Sequence, residues 1–167
     1  CIGANHMGVR GMCATSGGGF ALMSEAIGMG GIIETPAVII NVMRAGPSTG
    51  VPTKTEQSDL NQAFGASQGE FPRVVLAPTS MSDCFVTPSQ AFNVADRFQL
   101  PVIILSDMLM SEGSETVATE VLDVEFPIDR GELITKADGP PDGEPYLRYK
   151  DTPSGISPRA VPGVPGH

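Results

Sequence analysis

Three short, unbroken apolar runs, Ala37–Val42, Val74–Ala77 and Val102–Ser106, constrain the fold of this chain more than any other feature. None alternates polar with apolar residues, so each reads as a strand buried on both faces, the pattern of parallel sheets covered by helices. The segments between them read as helices: Gly17 to Gly30, Thr55 to Phe64, and Ser82 to Phe98. In the last, Phe85, Phe92, Val94, Ala95 and Phe98 form a rough apolar stripe, which Pro88 interrupts. That proline marks either a kink or the helix start, because proline fits a first turn better than an interior. The alternation predicts an α/β fold, a three-layer sandwich with a mostly parallel sheet and right-handed crossovers. Ligands of such sheets sit beyond the carboxyl ends of the strands, so the loops there are where function is sought.

Composition agrees with one core-forming domain: 167 residues, 41% of them hydrophobic and 17% charged. A net charge of −9 without any basic stripe excludes nucleic acid as a partner, since phosphate binding needs Lys and Arg to displace counterions. No apolar run approaches the roughly 18 residues of a membrane span, so no membrane is expected as a partner. Cys1, Cys13 and Cys84 lack a CxxC pair, which indicates neither a disulfide framework nor a zinc site and suits a cytoplasmic protein. Residues 1–111 hold eight acids and five bases, residues 112–151 eleven and four, and residues 152–167 a single base. This divides the chain into an α/β domain over 1–120, an acidic connecting segment over 121–151 and a Pro/Gly-rich linker over 152–167. The chain opens on Cys-Ile-Gly-Ala with no leader, and is expected to be a piece of a longer one.

Two loops carry the chemistry. In Cys13-Ala-Thr-Ser-Gly-Gly-Gly-Phe20, hydroxyls precede glycines and a helix-forming run, so Thr15 or Ser16 reads as an N-cap and the glycines admit close approach of an anion. Gly28, Gly30 and Gly31 lower helix stability and point to close packing on a neighbour. Ser16 as a hydrolase nucleophile is disfavoured, because the chain's two histidines, His6 and His167, supply no base in the right order. The second loop, Asn41-Val-Met-Arg44-Ala-Gly-Pro-Ser-Thr-Gly-Val-Pro-Thr-Lys54, places a cation at the end of the most apolar strand. Arg44 can grip a carboxylate through two parallel hydrogen bonds, with Ser48 and Thr49 completing an oxygen-rich pocket. The competing reading is a structural salt bridge to Glu34 or Glu25. Lys54 does not follow the last glycine directly, so the run is not a Walker A loop. Asp107 is read as a turn-bonding residue, and Cys13 and Cys84 as small buried hydrophobes.

Taken together, the loops are specific. Arg10-x-Met12-x-x-Thr15-Ser16-Gly17-x-Gly19-Phe20-x-Leu22-Met23-x-Glu25, Glu34-x-Pro36 and Arg44-x-Gly46-Pro-Ser-Thr-Gly50-x-Pro-Thr-Lys54-x-x-Gln57-x-Asp59-Leu60 resemble the alpha subunit of 2-oxoacid:ferredoxin oxidoreductases. The 2-oxoglutarate branch is the most similar. The likeness continues through Ala91-Phe-Asn-x-Ala95, Pro101-Val102 and Leu105-Ser-Asp107, and resumes at Arg148-Tyr149 and Gly155-Ile-Ser-Pro-Arg159.

The resemblance implies the pyrimidine-binding domain of a thiamin-diphosphate enzyme that decarboxylates a 2-oxoacid to an acyl-coenzyme A and passes electrons to ferredoxin. It further implies that thiamin diphosphate and Mg2+ are held mainly by a beta subunit, that iron–sulfur clusters reside on other chains, and that the active site lies at the alpha–beta contact. By that resemblance Arg44 would take the position of the family's substrate-carboxylate contact, and Thr15, Ser16 and Gly17 would line the cavity near the aminopyrimidine. The family's catalytic acidic residue is expected upstream of Cys1, so none is assigned within this sequence. Cys13, Gly18 and Met43 stand where the family usually has threonine, proline and glutamine. They motivate the alternative of a non-catalytic scaffold or regulatory domain that keeps the fold.

Overall fold

The computed structural model describes residues 1–135 and 145–167. The elements run α1 (Ile2–His6), β1 (Met12–Thr15), α2 (Gly18–Leu22), α3 (Ser24–Ile32), β2 (Ala37–Met43), α4 (Leu60–Phe64), β3 (Val74–Leu76), α5 (Met81–Phe98), β4 (Pro101–Asp107), α6 (Met108–Glu112), α7 (Thr119–Leu122), β5 (Leu133–Ile134) and β6 (Arg159–Ala160). Strands β1–β4 form a four-stranded sheet in the order β1-β2-β4-β3, with every pairing parallel. All three runs predicted as strands are in it, and the two most apolar, β2 and β4, occupy its centre. Their alternating residues serve two cores. Ala37, Ile39, Met43, Ile103 and Leu105 pack with Phe20, Ile27 and Ala63 of α2, α3 and α4, while Val38, Val102 and Ile104 pack with Ala91 and Ala95 of α5. Helices therefore cover both faces, and the three-layer α/β sandwich is the observed architecture.

β1 is the strand that the apolar runs did not announce. It has four residues, lies at the sheet edge and is only half-buried at alternate positions, so it carries no continuous hydrophobic signal. The helix expected over Gly17 to Gly30 is two helices, α2 and α3, meeting at Met23. Thr15 is the last residue of β1 and Gly17 holds the N-cap position of α2 with no side-chain cap bond, so neither Thr15 nor Ser16 caps the helix. Close packing explains two of the later glycines: a Cβ on Gly28 would collide with Ser67, and one on Gly31 with the Phe71 ring. The helix expected from Thr55 begins only at Leu60.

α5 starts at Met81, which places Pro88 inside the helix rather than at its start. A reciprocal cap nucleates it upstream. Ser80 Oγ accepts from the Asp83 amide at 3.1 Å, and Asp83 Oδ2 accepts from the Thr79 hydroxyl at 2.6 Å and the Thr79 amide at 2.9 Å. The bonds from the Thr79 hydroxyl and amide hold the Asp83 carboxyl below its ordinary range. The buried stripe is Thr87, Ala91 and Ala95, whereas Phe85 and Phe98 are exposed. Small residues let the helix sit close on the sheet, and the bulkier rings go to its flanks, Phe85 against Phe126 and Phe92 beneath Arg10.

The polypeptide after β4 folds back along α5. β5 and β6 pair in parallel, and Arg159 of β6 is buried beside Asp96 of α5. Arg10 and Arg130 converge on the same carboxylate. Residues 136–144 of the acidic segment lie outside the described residues. Arg148 closes the end of α3, donating to the carbonyls of Ile33 and Glu34 and to the Glu34 carboxylate.

Cys84 of α5 lies half-buried with Sγ 3.1 Å from Met110 Sδ. Burial pushes its thiol up, and Asp83 and Asp107 add to the effect. Cys84 is accordingly expected to react with iodoacetamide at neutral pH at least about 10-fold more slowly than the exposed Cys1, because the thiolate is the nucleophile. Peptide mapping after timed alkylation checks this; equal labelling of the two would contradict it.

Candidate functional site

Parallel pairing brings the carboxyl ends of β1, β2 and β4 to one edge of the sheet. Thr15 ends β1 beside Asn41 of β2, and Met43 ends β2 beside Asp107 of β4. Ser16 and Gly17 follow β1 directly, and Arg44 follows β2, so both predicted loops leave the sheet at neighbouring points.

The geometry at Gly17 joins them. Its φ of +51° is a left-handed conformation that a side chain disfavours, and an added Cβ would lie 2.9 Å from Arg44 Nε. The guanidinium is thus laid across the bare backbone of the Gly17 bend. Arg44 Nη2 donates to the Thr49 carbonyl at 3.4 Å, while Nε is buried and has no hydrogen-bond partner. The salt-bridge reading of Arg44 is not what the structure contains: Glu34 pairs with Arg148 at 3.1 Å, and Arg44 has no carboxylate partner among the described residues. A buried guanidinium N–H without an acceptor is costly in isolation, and an anion's oxygen is the chemistry that satisfies it.

The loop after β2 has a defined shape. The Val51 amide donates to the Ala45 carbonyl at 3.0 Å, the Ala45 amide to the Lys54 carbonyl at 2.9 Å, and the Gly46 amide to Glu56 Oε2 at 3.1 Å. Ser48 adopts φ +58°, and Ser48 and Thr49 are exposed at the loop tip. Of the predicted substrate group, Arg44 and the Thr49 carbonyl are brought together, whereas the Ser48 and Thr49 hydroxyls stay at the rim. Thr15 turns its hydroxyl onto Gly19, where a Cβ would collide with it, and the bare Gly17 lies against Arg44.

Sequence reasoning missed the partners that tether this loop. Gln57 Nε2 donates to Asp107 Oδ2 at 2.6 Å, and Asn41 Nδ2 donates to Asp59 Oδ2 at 3.0 Å. The signal for one of them was present: an asparagine within the apolar run of β2 needs a partner when buried. Asp107 does bond a turn amide as expected, that of Met110 at 2.8 Å, and the Gln57 contact is in addition. Among the described residues no group of three or more His, Cys, Asp or Glu side chains could hold a metal ion, and no helix is long and apolar enough to cross a membrane.

With an arginine whose Nε has no partner set at the strand ends of a parallel sheet, comparison with known proteins becomes specific. The profile of the pyruvate flavodoxin/ferredoxin oxidoreductases, thiamine-diphosphate-binding, matches residues 1–161. The chain belongs to this family. It is similar to the 2-oxoglutarate oxidoreductase subunit KorA of Mycobacterium tuberculosis, 42% identical over 166 residues that make up 99% of this chain and 24% of that protein. The 2-oxoglutarate synthase subunit KorA of Archaeoglobus fulgidus is 51% identical over 117 residues, covering 70% of this chain and 34% of that protein. Among solved structures, the 2-oxoglutarate:ferredoxin oxidoreductase from Magnetococcus marinus, with 2-oxoglutarate, coenzyme A and succinyl-CoA bound, superposes with a TM-score of 0.82 at 38% identity. That match covers 99% of this chain and 28% of that one. The chain spans about a quarter of the length of curated relatives such as the mycobacterial subunit.

Proposed function

We propose that this chain forms the pyrimidine-side domain of the alpha subunit of a 2-oxoacid:ferredoxin oxidoreductase, with 2-oxoglutarate the favoured substrate, and that Arg44 binds the substrate carboxylate. The observation that carries the reading is the buried, unpartnered Nε of Arg44 laid against the Gly17 bend. A guanidinium offers its donors as a fork matched to a carboxylate, so it fixes the orientation of the acid as well as its position. Held in this way, the substrate is presented to the reacting centre in one orientation, which converts binding into a rate advantage.

The left-handed Gly17 bend lets the Arg44 guanidinium lie against its bare backbone, and the aminopyrimidine of thiamin diphosphate would sit beside that pair. When bound, that cofactor supplies the nucleophilic carbon that lets carbon dioxide leave the oxoacid. Thr15, Ser16 and Gly17 line its pyrimidine end; Ser48 and Thr49 offer hydroxyls at the rim of the substrate pocket. The diphosphate and Mg2+ belong to a beta subunit that closes the cavity, iron–sulfur clusters to further chains, and coenzyme A and ferredoxin act as acyl and electron acceptors in the cytoplasm.

Co-expression of the full subunit with its beta partner tests the reading. Reduction of ferredoxin or a viologen dye that depends on 2-oxoglutarate and coenzyme A is the expected result, with pyruvate turned over less efficiently. Absence of oxoacid-dependent reduction by the assembled complex would favour a non-catalytic scaffold. Gly17→Ala is a second check: its methyl group would press on Arg44 Nε and its φ would be strained, so the KM for oxoacid should rise. An unchanged KM would show that the bend does not set the arginine.

A further inference from the structure

The loop bearing Arg44, Ser48 and Thr49 is pinned at its far end by two side-chain bonds that neither sheet nor helix formation requires. Asn41 is fully buried within β2, on the sheet face whose other members, Ala37, Ile39 and Met43, are apolar. Its Nδ2 donates to Asp59 Oδ2, while its Oδ1 has no partner. Turning the amide over would set Oδ1 against the carboxylate, so this orientation is the favourable one. A buried amide left half-satisfied costs stability relative to an apolar residue of that size, which gives it no packing rationale. Asp59 directly precedes α4, where an aspartate commonly caps a helix, yet it makes no capping bond and gives its carboxylate to Asn41.

The second bond lies one strand away on the same edge. Gln57 Nε2 donates to Asp107 Oδ2, and the other Asp107 oxygen receives the Met110 amide, so the carboxylate itself is held in place by the first turn of α6. Asn41 and Asp107 sit on neighbouring central strands, in register with Leu105 and Met43 respectively. Residues 57–59 are thereby fastened to the two best-packed strands, and the backbone bonds among Ala45, Val51 and Lys54 carry that fixity to the arginine end of the loop.

We propose that the pairs Asn41–Asp59 and Gln57–Asp107 are positioning residues that hold the Arg44 loop in its carboxylate-binding place, an inference that rests on the substrate reading of Arg44. A loop fixed before the ligand arrives avoids the ordering cost on binding, so loosening it weakens capture of the oxoacid and leaves the chemical step intact.

The test uses the assembled oxidoreductase carrying Gln57→Leu, Asp59→Ala or Asp59→Asn, with Arg44→Ala in parallel. Gln57 is exposed, so its replacement does not threaten the core. Gln57→Leu and Asp59→Ala are expected to raise the KM for 2-oxoacid about 10-fold with kcat unchanged, the effect of losing one hydrogen bond to a charged group. Asp59→Asn, which keeps an acceptor oxygen for Asn41, should restore the normal KM. In Gln57→Leu, hydrogen exchange of the Ala45, Val51 and Lys54 amides should quicken while that of β2 and β4 does not. Unaltered loop exchange, or faster exchange with an unaltered KM, overturns the positioning role. A raised KM in Gln57→Leu beside an unaffected Arg44→Ala sinks the Arg44 reading and, with it, the positioning role through that arginine; a raised KM in Arg44→Ala beside an unaffected Gln57→Leu sinks the positioning pairs alone.

Discussion

Arg44→Ala in the assembled enzyme is expected to raise the KM for 2-oxoacid by about two orders of magnitude, from roughly 3 kcal/mol for loss of a charge-paired contact in a partly desolvated site. The magnitude follows from the setting of the side chain. Nε is withdrawn from solvent, so a carboxylate would reach the arginine at its terminal nitrogens and gain a charge-assisted bond there. Arg44→Lys keeps the charge and loses the fork, so it should fall between wild type and alanine. The measurement is steady-state kinetics over oxoacid concentration at saturating coenzyme A and acceptor. Unchanged values in both variants would remove Arg44 from the substrate site.

Asp96→Ala is expected to lower the stability of the domain by about 3–5 kcal/mol, the usual result of removing one partner from a buried charge cluster. Asp96 is 3% exposed, accepts a hydrogen bond from Arg10 Nε at 2.8 Å, and forms ion pairs with Arg130 Nε at 2.9 Å and Arg159 Nη2 at 3.5 Å. These arginines arrive from three separate stretches of chain. Arg10 also donates to Asn93 and to the Asp129 carbonyl, Arg130 to the Gly8 carbonyl and Arg159 to the Asn5 carbonyl. Burial pulls the Arg159 guanidinium below its ordinary value, and Asp96 opposes that pull. Without the carboxylate, Arg159 stays buried with no counter-charge, beside Arg10 and Arg130, which are only partly shielded from water. Denaturant unfolding of the full subunit checks the prediction, and a midpoint unchanged by Asp96→Ala would show that the cluster is dispensable. Loss of packing between the N-terminal segment, α5 and β6 should accompany the fall, read as faster amide exchange in those elements.

The sheet was legible because β2 and β4 are buried on both faces, so their composition alone declares them. β1 was not, since an edge strand of four residues, exposed and half-buried in turn and ending in threonine, has the same local chemistry as a loop. The division of α2 from α3 and the late start of α4 depend on how Met23 and the Gln57–Asp59 tether meet the sheet, and these are long-range facts with no local code. Within the site, Arg44 and Gly17 were legible because a cation after an apolar strand and a glycine after hydroxyls each carry a local physical meaning. That one lies across the other required the register of β1 on β2. The Asp96 cluster was invisible for the same reason: Arg10, Arg130 and Arg159 are distant in sequence, and nothing in a single arginine announces its acceptor. The expected stripe of α5 held at Ala95, which is buried, and at Phe92 and Val94, which pack against the core, and failed at Phe85 and Phe98, because close helix–sheet contact reserves the centre of the face for Thr87, Ala91 and Ala95.

The most direct test of the account is a structure of the assembled oxidoreductase with a 2-oxoacid bound. The account predicts a carboxylate oxygen about 2.8 Å from Arg44 Nε or its terminal nitrogens, the charge-assisted distance, with Gly17 behind the guanidinium. A bound oxoacid whose carboxylates are all held elsewhere, with Arg44 facing solvent, would contradict it.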